Sequence, residues 1–296
     1  MLKKTVVSFP GLGIEDFSLD NVAFTLPFGE NGFPVMWYGV IIALGMVAAV
    51  AYIYYRCKKS ENISTDDLMD TAIFTILFGI VGARLYYVLF SLDSYNSIWE
   101  VFDLRSGGLA IYGGVIAGAA TIFIMCKYIK KINWRKFFDA TAPGVMIAQA
   151  MGRWGNFFNG EAYGSIVEEG SPLYFMRMGL LPNMDSYTTM YYYHPTFLYE
   201  SLWNVLGFVL INIFYKKKKF DGQIALYYFM WYGFGRMFIE GLRTDSLYLW
   251  GTPIRVSQLL GLLLFLTGTG LLIYGLIKTK KDNTIKIEEN TNGENN

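Results

Sequence analysis

The chain has 296 residues, of which 53% are hydrophobic and only 17% are charged, and its formal net charge is +1. A mean hydropathy of +0.32 is typical of a membrane protein rather than a water-soluble one. The near-neutral charge gives no sign of a nucleic-acid partner. A single histidine excludes paired-histidine zinc sites, and the chain contains neither a G-x-S-x-G serine elbow nor a P-loop. We therefore expect no metal and no cofactor, and we interpret Cys57 and Cys126 as structural thiols.

Residues 1–33 lack a long apolar run, so we expect a short external segment without a cleavable signal peptide. Seven largely apolar stretches follow, and crossing a bilayer core takes roughly 20 helical residues. They are residues 34–55, 71–92, 106–126, 137–153, 195–215, 222–240 and 256–277. The sequence thus predicts an all-α integral membrane protein with seven transmembrane helices between residues 34 and 277. The polar tail, residues 278–296, has a composition typical of disorder.

Lysine and arginine are divided unequally between alternate loops, with sixteen on one side and six on the other. Because cytoplasmic loops are enriched in these residues, this bias predicts an external amino terminus and a cytoplasmic carboxyl terminus. The longest external connection covers residues 156–194. A loop of this length is usually functional, so we expect the substrate to arrive from the outer face.

Arginines inside membrane spans are costly, and each one requires an explanation. Arg84 lies in the second span, where a structural ion pair is as good an explanation as a functional contact. Arg236 belongs to a polar stripe with i, i+4, i+8 and i+11 spacing on the sixth span, which must face the bundle interior or a wet cavity. The members of this stripe are Tyr232, Arg236, Glu240 and Arg243.

A glycine-rich motif at residues 152–164 ends the fourth span and concentrates polar groups at one membrane boundary. Its polar members are Arg153, Asn156, Asn159 and Glu161. Two arginines, Arg153 and Arg236, offer bidentate contacts to phosphate, a group that every phospholipid presents at this depth. The alternative is a capped helix end followed by a loop.

Three further signals have simple structural explanations. Tyr38 begins the first span, where aromatic residues commonly anchor a helix at the interface. Gly113 and Gly114 with Gly118 form a G-x-x-x-G face, which indicates a helix contact. His194 precedes a proline, an arrangement more typical of a helix start than of a catalytic base.

The motif at residues 152–164 resembles the signature of the bacterial prolipoprotein diacylglyceryl transferase family, approximately G-R-x-G-N-F-x-N-x-E-x-x-G. Every specified position matches, through Gly152, Arg153, Gly155, Asn156, Phe157, Asn159, Glu161 and Gly164. Supporting segments surround Tyr38, Arg84, the Gly113-Gly114 pair, His194 and Tyr232. The resemblance covers essentially the whole membrane portion, and the seven-helix topology of the family agrees with the charge count.

The resemblance implies an enzyme of the bacterial plasma (inner) membrane, a multi-pass protein with its active site toward the outer face. It would transfer the diacylglyceryl group of phosphatidylglycerol to the lipobox cysteine of preprolipoprotein signal peptides, forming a thioether and releasing glycerol phosphate. The implied catalytic residues are Arg153, Arg236, Tyr38 and Tyr112. The implied substrate-binding residues are Arg153, Asn156, Asn159, Glu161, Gly164, Arg84, His194, Tyr232, Glu240 and Arg243. The arginines suit a displacement that needs a cation beside the departing phosphate and no acyl-enzyme.

Two positions depart from the family pattern. Tyr112 stands where members often carry a histidine that has been considered as a base for the thiol. A phenol is a poor base at neutral pH, but a thiol is itself partly ionised, so the identity of the base stays open. Phe197 replaces a common glutamine. A transporter or channel would also carry intramembrane arginines, although the chain shows no inverted repeat, and a structural membrane scaffold is a third alternative.

Overall fold

The computed structural model describes residues 4–28, 32–94, 97–103, 107–182 and 190–293. The predicted start of the third span, at residue 106, lies outside these residues. The chain divides into two compact units, a larger one formed by Met1–Ala49 and Ala142–Asn296 and a smaller one formed by Val50–Thr141.

The described residues form six strands and eight α-helices. The strands are β1 (Lys4–Phe9), β2 (Ile14–Asp20), β3 (Val22–Leu26), β4 (Phe33–Met36), β5 (Met178–Pro182) and β6 (Tyr191–Tyr193). The helices are α1 (Trp37–Arg56), α2 (Thr65–Leu89), α3 (Ile98–Phe102), α4 (Ile111–Ile124), α5 (Trp134–Phe158), α6 (Thr196–Tyr215), α7 (Gln223–Ile239) and α8 (Val256–Gly293). Seven of these helices, all except the short α3, correspond to the seven predicted stretches.

The larger unit contains β-structure that the all-α prediction missed. An antiparallel four-stranded sheet has the order β2-β1-β5-β6, and β3 pairs with β4 in a separate hairpin. The all-α prediction is therefore wrong for these segments. The physical reason is that β1 pairs with β5, with Val7 opposite Leu180, and this partner is far away in the sequence.

An apolar cluster joins this sheet to the C-terminal end of α5 and the N-terminal end of α6. Val7 and Leu180 of the sheet are buried in it together with Phe157 and Phe197. The rings of Phe157 and Phe197 stack with their centroids 4.5 Å apart. Phe197 therefore contributes to packing.

The smaller unit is built around close contact between α2 and α4. A Cβ atom added to Gly113 would lie 2.2 Å from the carbonyl oxygen of Gly82, so the two backbones touch. This confirms the predicted glycine contact. The α2 helix begins before its apolar stretch because the Ser64 hydroxyl caps it by accepting a hydrogen bond from the Asp67 amide at 3.1 Å. Cys57 and Cys126 are both buried in an apolar cluster of this unit.

Five helical segments are long and apolar enough to cross a membrane. They are Trp37–Glu61, Thr65–Leu89, Ile111–Ile129, Thr196–Tyr215 and Val256–Ile285. Helix α7 has only 17 residues, and α5 is less apolar along its length than the five segments, so neither is among them. The chain is thus a mainly helical membrane protein with five candidate spans among its described residues, and the count of seven stays a prediction.

The carboxyl-terminal tail also differs from its prediction. Helix α8 continues through the polar residues as far as Gly293, where composition alone indicates disorder. No proline interrupts the helix. The Thr279 and Thr284 hydroxyls donate to the carbonyl oxygens of Gly275 and Lys280, one turn earlier.

Candidate active site

Glu200, on the second turn of α6, contacts three arginines and is only 6% exposed. Arg153 on α5 places Nη2 2.6 Å from Oε2 of this carboxylate. Arg236 on α7 donates from Nη1 to both carboxylate oxygens, at 3.1 and 3.0 Å, and Arg243 donates from Nη1 to Oε1 at 3.2 Å. We call these three arginines around Glu200 the arginine cluster. Because an unpaired buried charge is costly, the carboxylate and the guanidiniums hold one another in place.

The polar stripe of the sixth span supplies two of the three arginines, but its geometry differs from a continuous helix. Arg236 pairs with the buried Glu240, with Nη2 2.7 Å from Oε2. The α-helix ends at Ile239, and a 3₁₀ turn, Glu240–Leu242, follows. Arg243 therefore lies beyond the helix in extended backbone. Its Nε and Nη2 atoms donate to both oxygens of Asp245, at 2.9 and 2.7 Å.

The glycine-rich motif extends the network from the arginine cluster toward solvent. Helix α5 runs on to Phe158, so Arg153 and Asn156 are one helical turn apart, and Arg153 Nη1 donates to Asn156 Oδ1 at 3.3 Å. Asn156 and Asn159 both donate from Nδ2 to Oε1 of Glu161, at 3.0 and 3.3 Å. The Glu161 residue is exposed. The four polar motif residues thus form one connected path.

The last glycine of the motif has a packing role. Gly164 is buried, and an added Cβ atom would lie 2.7 Å from Cβ of His194 and 2.9 Å from the carbonyl oxygen of Leu242. Its amide also donates to the His194 carbonyl at 2.9 Å. Gly164 therefore allows the motif, the start of α6 and the end of α7 to meet, which brings the three arginines together.

Two tyrosines line the same region. The ring of Tyr38, on the first turn of α1, lies against Gly155, where an added Cβ atom would be 3.0 Å from Cδ2 of the ring. Tyr232 lines a small cavity together with Glu200 and Arg236, and its ring stacks on Tyr228 with centroids 5.7 Å apart. Both tyrosines belong to the same unit as the arginine cluster.

His194 lies just before α6. Its Nδ1 atom is 3.2 Å from the Tyr199 hydroxyl, and its amide donates to the carbonyl oxygen of Ser165 at 3.0 Å. Burial lowers the pKa of the His194 imidazole below its ordinary value, so the ring is neutral at pH 7. These contacts fit the helix-start interpretation of this residue.

Arg84 belongs to the smaller unit, where its guanidinium contacts main-chain groups. Its guanidinium donates to main-chain carbonyl oxygens of Val101 and Glu100 at 2.7 Å each, and to those of Gly107 and Gly108 at 2.6 and 3.1 Å. Because its guanidinium donates to four carbonyl oxygens, Arg84 holds the segment that follows α2 in place. These contacts fit the structural explanation of Arg84, and its role in substrate binding stays a prediction.

Tyr112 also belongs to the smaller unit. Its ring centroid lies 6.3 Å from that of Tyr86, across the contact between α2 and α4. Its catalytic role, implied by the resemblance, stays a prediction, and the identity of the base stays open.

Glu200, the central residue of the cluster, and Asp245 are not among the site residues predicted from the sequence. A usable signal existed for Glu200, because it is the only charged residue in the stretch 195–215. An ionisable residue within a membrane span is a functional candidate by default. Asp245 gave no such signal, since it lies in a polar loop.

The charges of the cluster show where an anion could bind. Three arginines face the carboxylates of Glu200, Glu240 and Asp245. Arg153 is the most exposed of the three, at 23% against 13% and 12%. Within the part of the chain that the structure describes, its contacts engage one nitrogen with Asn156 and another with Glu200. Its guanidinium therefore has donors left for a ligand. Among those same residues, no group of three or more His, Cys, Asp or Glu side chains is arranged to hold a metal ion.

Comparison with known proteins gives a consistent result. The model of a family described as prolipoprotein diacylglyceryl transferase matches residues 22–274. The phosphatidylglycerol–prolipoprotein diacylglyceryl transferase 1 of Clostridium perfringens is 41% identical over 256 residues, which cover 86% of this chain and 95% of the relative. The enzyme of the same name from Streptococcus pneumoniae (strain Hungary19A-6) is 46% identical over 246 residues, which cover 81% of this chain and 89% of the relative. The chain therefore belongs to the prolipoprotein diacylglyceryl transferase family.

Proposed function

We propose that this diacylglyceryl transferase takes the diacylglyceryl group from phosphatidylglycerol and attaches it to the lipobox cysteine thiol of a preprolipoprotein signal peptide, with the arginine cluster binding the lipid phosphate. The convergence of Arg153, Arg236 and Arg243 on Glu200 carries this proposal. A phosphodiester needs planar, cationic donors, and guanidinium groups supply them bidentately.

Arg153 is the residue that contacts the phosphate. It is the most exposed member of the cluster, and its remaining N–H groups are aimed by its contacts with Glu200 and Asn156. Glu200 itself is too buried to reach a substrate and acts by orienting the arginines. The exposed Glu161 carboxylate is linked to Arg153 through Asn156. Its oxygens accept hydrogen bonds, which suits the hydroxyl groups of the glycerol headgroup.

The reaction is a displacement at a glyceryl carbon. The cysteine sulfur forms a bond to this carbon as the bond from carbon to the phosphate oxygen breaks, and the electron pair of that bond leaves with glycerol phosphate. The thiol proton passes to the leaving phosphate or to solvent. Negative charge grows on the departing phosphate, so Arg153 and Arg236 stabilise the transition state more than the bound lipid. A thiol is partly ionised near neutral pH, so the thiolate can form without a strong base.

The proposed setting is a bacterial plasma (inner) membrane crossed by seven helices, including α5 and α7, with the amino terminus outside. The lysine and arginine bias between loops supports this orientation. In it, the motif at residues 152–164 and the end of α7 lie at the outer face. Phosphatidylglycerol and the signal peptide would both reach the cluster from the outer leaflet.

The proposal is tested with purified protein in detergent, acyl-labelled phosphatidylglycerol and a synthetic signal peptide that carries a lipobox cysteine. We expect a labelled thioether peptide and free glycerol phosphate. Arg153→Ala should reduce transfer by about 10²-fold or more, because it removes a charge-assisted contact to the departing group. Arg153→Lys should stay impaired, because an ammonium lacks the planar fork.

Arg177→Ala provides the matched control. This arginine lies in the same unit, but it packs over the ring of Tyr174 at 4.2 Å and donates to the Tyr174 carbonyl. It should leave transfer unchanged. Near-normal turnover in Arg153→Ala would contradict the phosphate assignment. A wild-type protein that binds or moves lipid without modifying the peptide would instead support the transporter class.

A further inference from the structure

A reciprocal pair of tryptophans joins α6 to α7. Trp203 donates from Nε1 to the carbonyl oxygen of Trp231 at 3.0 Å, and Trp231 donates from Nε1 to the carbonyl oxygen of Trp203 at 2.9 Å. The two rings are stacked, with centroids 4.1 Å apart and planes 13° from parallel. Each indole thus binds the backbone of the helix that carries the other one.

Each indole also lies over a glycine of the opposite helix. A Cβ atom added to Gly235 would lie 2.1 Å from Nε1 of Trp203, and one added to Gly207 would lie 2.3 Å from Nε1 of Trp231. Both helices therefore carry the same W-x-x-x-G spacing, with the tryptophan of one covering the glycine of the other. The arrangement is close to two-fold symmetric, so a shift of one helix along the other would break both indole hydrogen bonds together.

This contact lies next to the arginine cluster. Glu200 is one helical turn before Trp203, and Arg236 directly follows the glycine that Trp203 covers. Sliding α6 by one residue would move Glu200 by about 1.5 Å relative to α7. The hydrogen bonds from Arg236, now 3.0 and 3.1 Å long, would not survive such a shift.

We propose that Trp203 and Trp231 are positioning residues that fix the register of α6 against α7 and so hold Glu200 within reach of Arg236. We call the pair the tryptophan lock. Its role rests on the proposed function of the arginine cluster. Interhelical hydrogen bonds and close contact at small residues are the means by which helices associate in a membrane, where the surrounding lipid offers no hydrophobic drive.

Trp231 distinguishes a register effect from a local one. Trp203 lines the small cavity beside Glu200 and Arg236, so its replacement could disturb the site directly. Trp231 does not line that small cavity, and both tryptophans line a second, apolar cavity of about 470 Å³. If the pair fixes the helix register, replacing either residue should impair the enzyme equally. If Trp203 acts only by lining the small cavity, its replacement alone should do so.

The test uses Trp203→Phe, Trp231→Phe and the double variant, each of which keeps an aromatic ring but lacks the indole donor. The full-length protein in detergent is assayed for kcat, for the KM of phosphatidylglycerol and for inhibition by glycerol phosphate. We expect either single variant to lower kcat/KM about tenfold, since a misplacement near 1 Å can cost up to 10²-fold. Both should weaken inhibition by glycerol phosphate to a similar extent, and the double variant should be little worse than either single one.

Trp250→Phe is the control, because Trp250 is 99% exposed in a loop and should change none of these values. Thermal unfolding is recorded for every variant, because loss of stability alone would lower the melting temperature without altering inhibition by glycerol phosphate. An effect confined to Trp203→Phe, or unchanged inhibition in both variants, would overturn the proposal.

The lock also has a readout that does not depend on activity. Stacked indoles couple in circular dichroism, and either substitution should remove that signal. A wild-type protein that shows the signal but transfers no lipid would refute the proposed function, and with it the enzymatic role of the lock. An active wild-type protein whose variants lose the signal but keep full activity would refute the lock alone.

Discussion

Glu200→Gln is the most informative substitution in the arginine cluster. The change keeps the size of the side chain but removes the negative charge that three guanidiniums share at 2.6 to 3.2 Å. The new amide offers one oxygen acceptor where the carboxylate offered two, and its NH₂ group faces an arginine. Arg153, Arg236 and Arg243 would then repel one another without a negative charge at their centre.

The expected magnitude follows from burial. Removing one partner of a buried ion pair typically costs about 3 to 5 kcal/mol, and Glu200 is only 6% exposed. We expect the lower end, about 3 kcal/mol, because the glutamine oxygen keeps one contact. At 2 to 4 °C per kcal/mol for a chain of this size class, the melting temperature would fall by roughly 6 to 12 °C. Transfer should fall by about 10²-fold, because the arginines lose their alignment toward the phosphate.

Asp245→Asn is the matched control. Asp245 also binds Arg243 through two hydrogen bonds, and these hold the pKa of its carboxyl below the ordinary value. Its side chain is 47% exposed, however, so the pair contributes less than about 1 kcal/mol. Unfolding curves and labelled-lipid transfer in detergent compare the two variants. A Glu200→Gln protein with wild-type stability and turnover would refute the reasoning, as would equal damage from Asp245→Asn.

Three further predictions concern pH and topology. Burial lowers the pKa of His194, the only histidine, so the free energy of unfolding should decline as pH falls through about 6.5 toward that lowered pKa. The decline should be at most about 1.4 kcal/mol per pH unit, and unfolding of His194→Asn in detergent should lack it. Tyr112→Phe should lose little activity, or lose it equally at every pH, whereas a deficit of about 10²-fold that vanishes at high pH would identify the hydroxyl as the base. A cysteine introduced at Glu169 should react with an impermeant thiol reagent outside intact cells, and one at Lys217 should not. The opposite pattern would reverse the proposed orientation. The two native thiols are buried, so they should add little background labelling.

The sequence by itself determined the class of the protein and much of its chemistry. Hydropathy located seven helices, five of which are long and apolar enough to cross a membrane, because a helix that crosses lipid must be apolar along its own length. The motif at residues 152–164 and the stripe around Arg236 are also local patterns. The concentration of polar residues in one short motif was enough to select Arg153, Asn156 and Glu161, which the structure joins in one network.

The tertiary structure decided which of these groups bind one another. Glu200 lies on α6, whereas its three arginines lie on α5, on α7 and just beyond α7, and local spacing along a chain does not reveal such partners. Likewise, the four main-chain carbonyls that accept hydrogen bonds from Arg84 lie outside its own helix, where spacing along that helix does not reveal them. The strand β5 lies far from β1 in sequence, and its pairing depends on the folded chain. Hydropathy and periodicity are properties of one segment, whereas the partner of a buried charge or of an open strand edge is fixed only when distant segments meet.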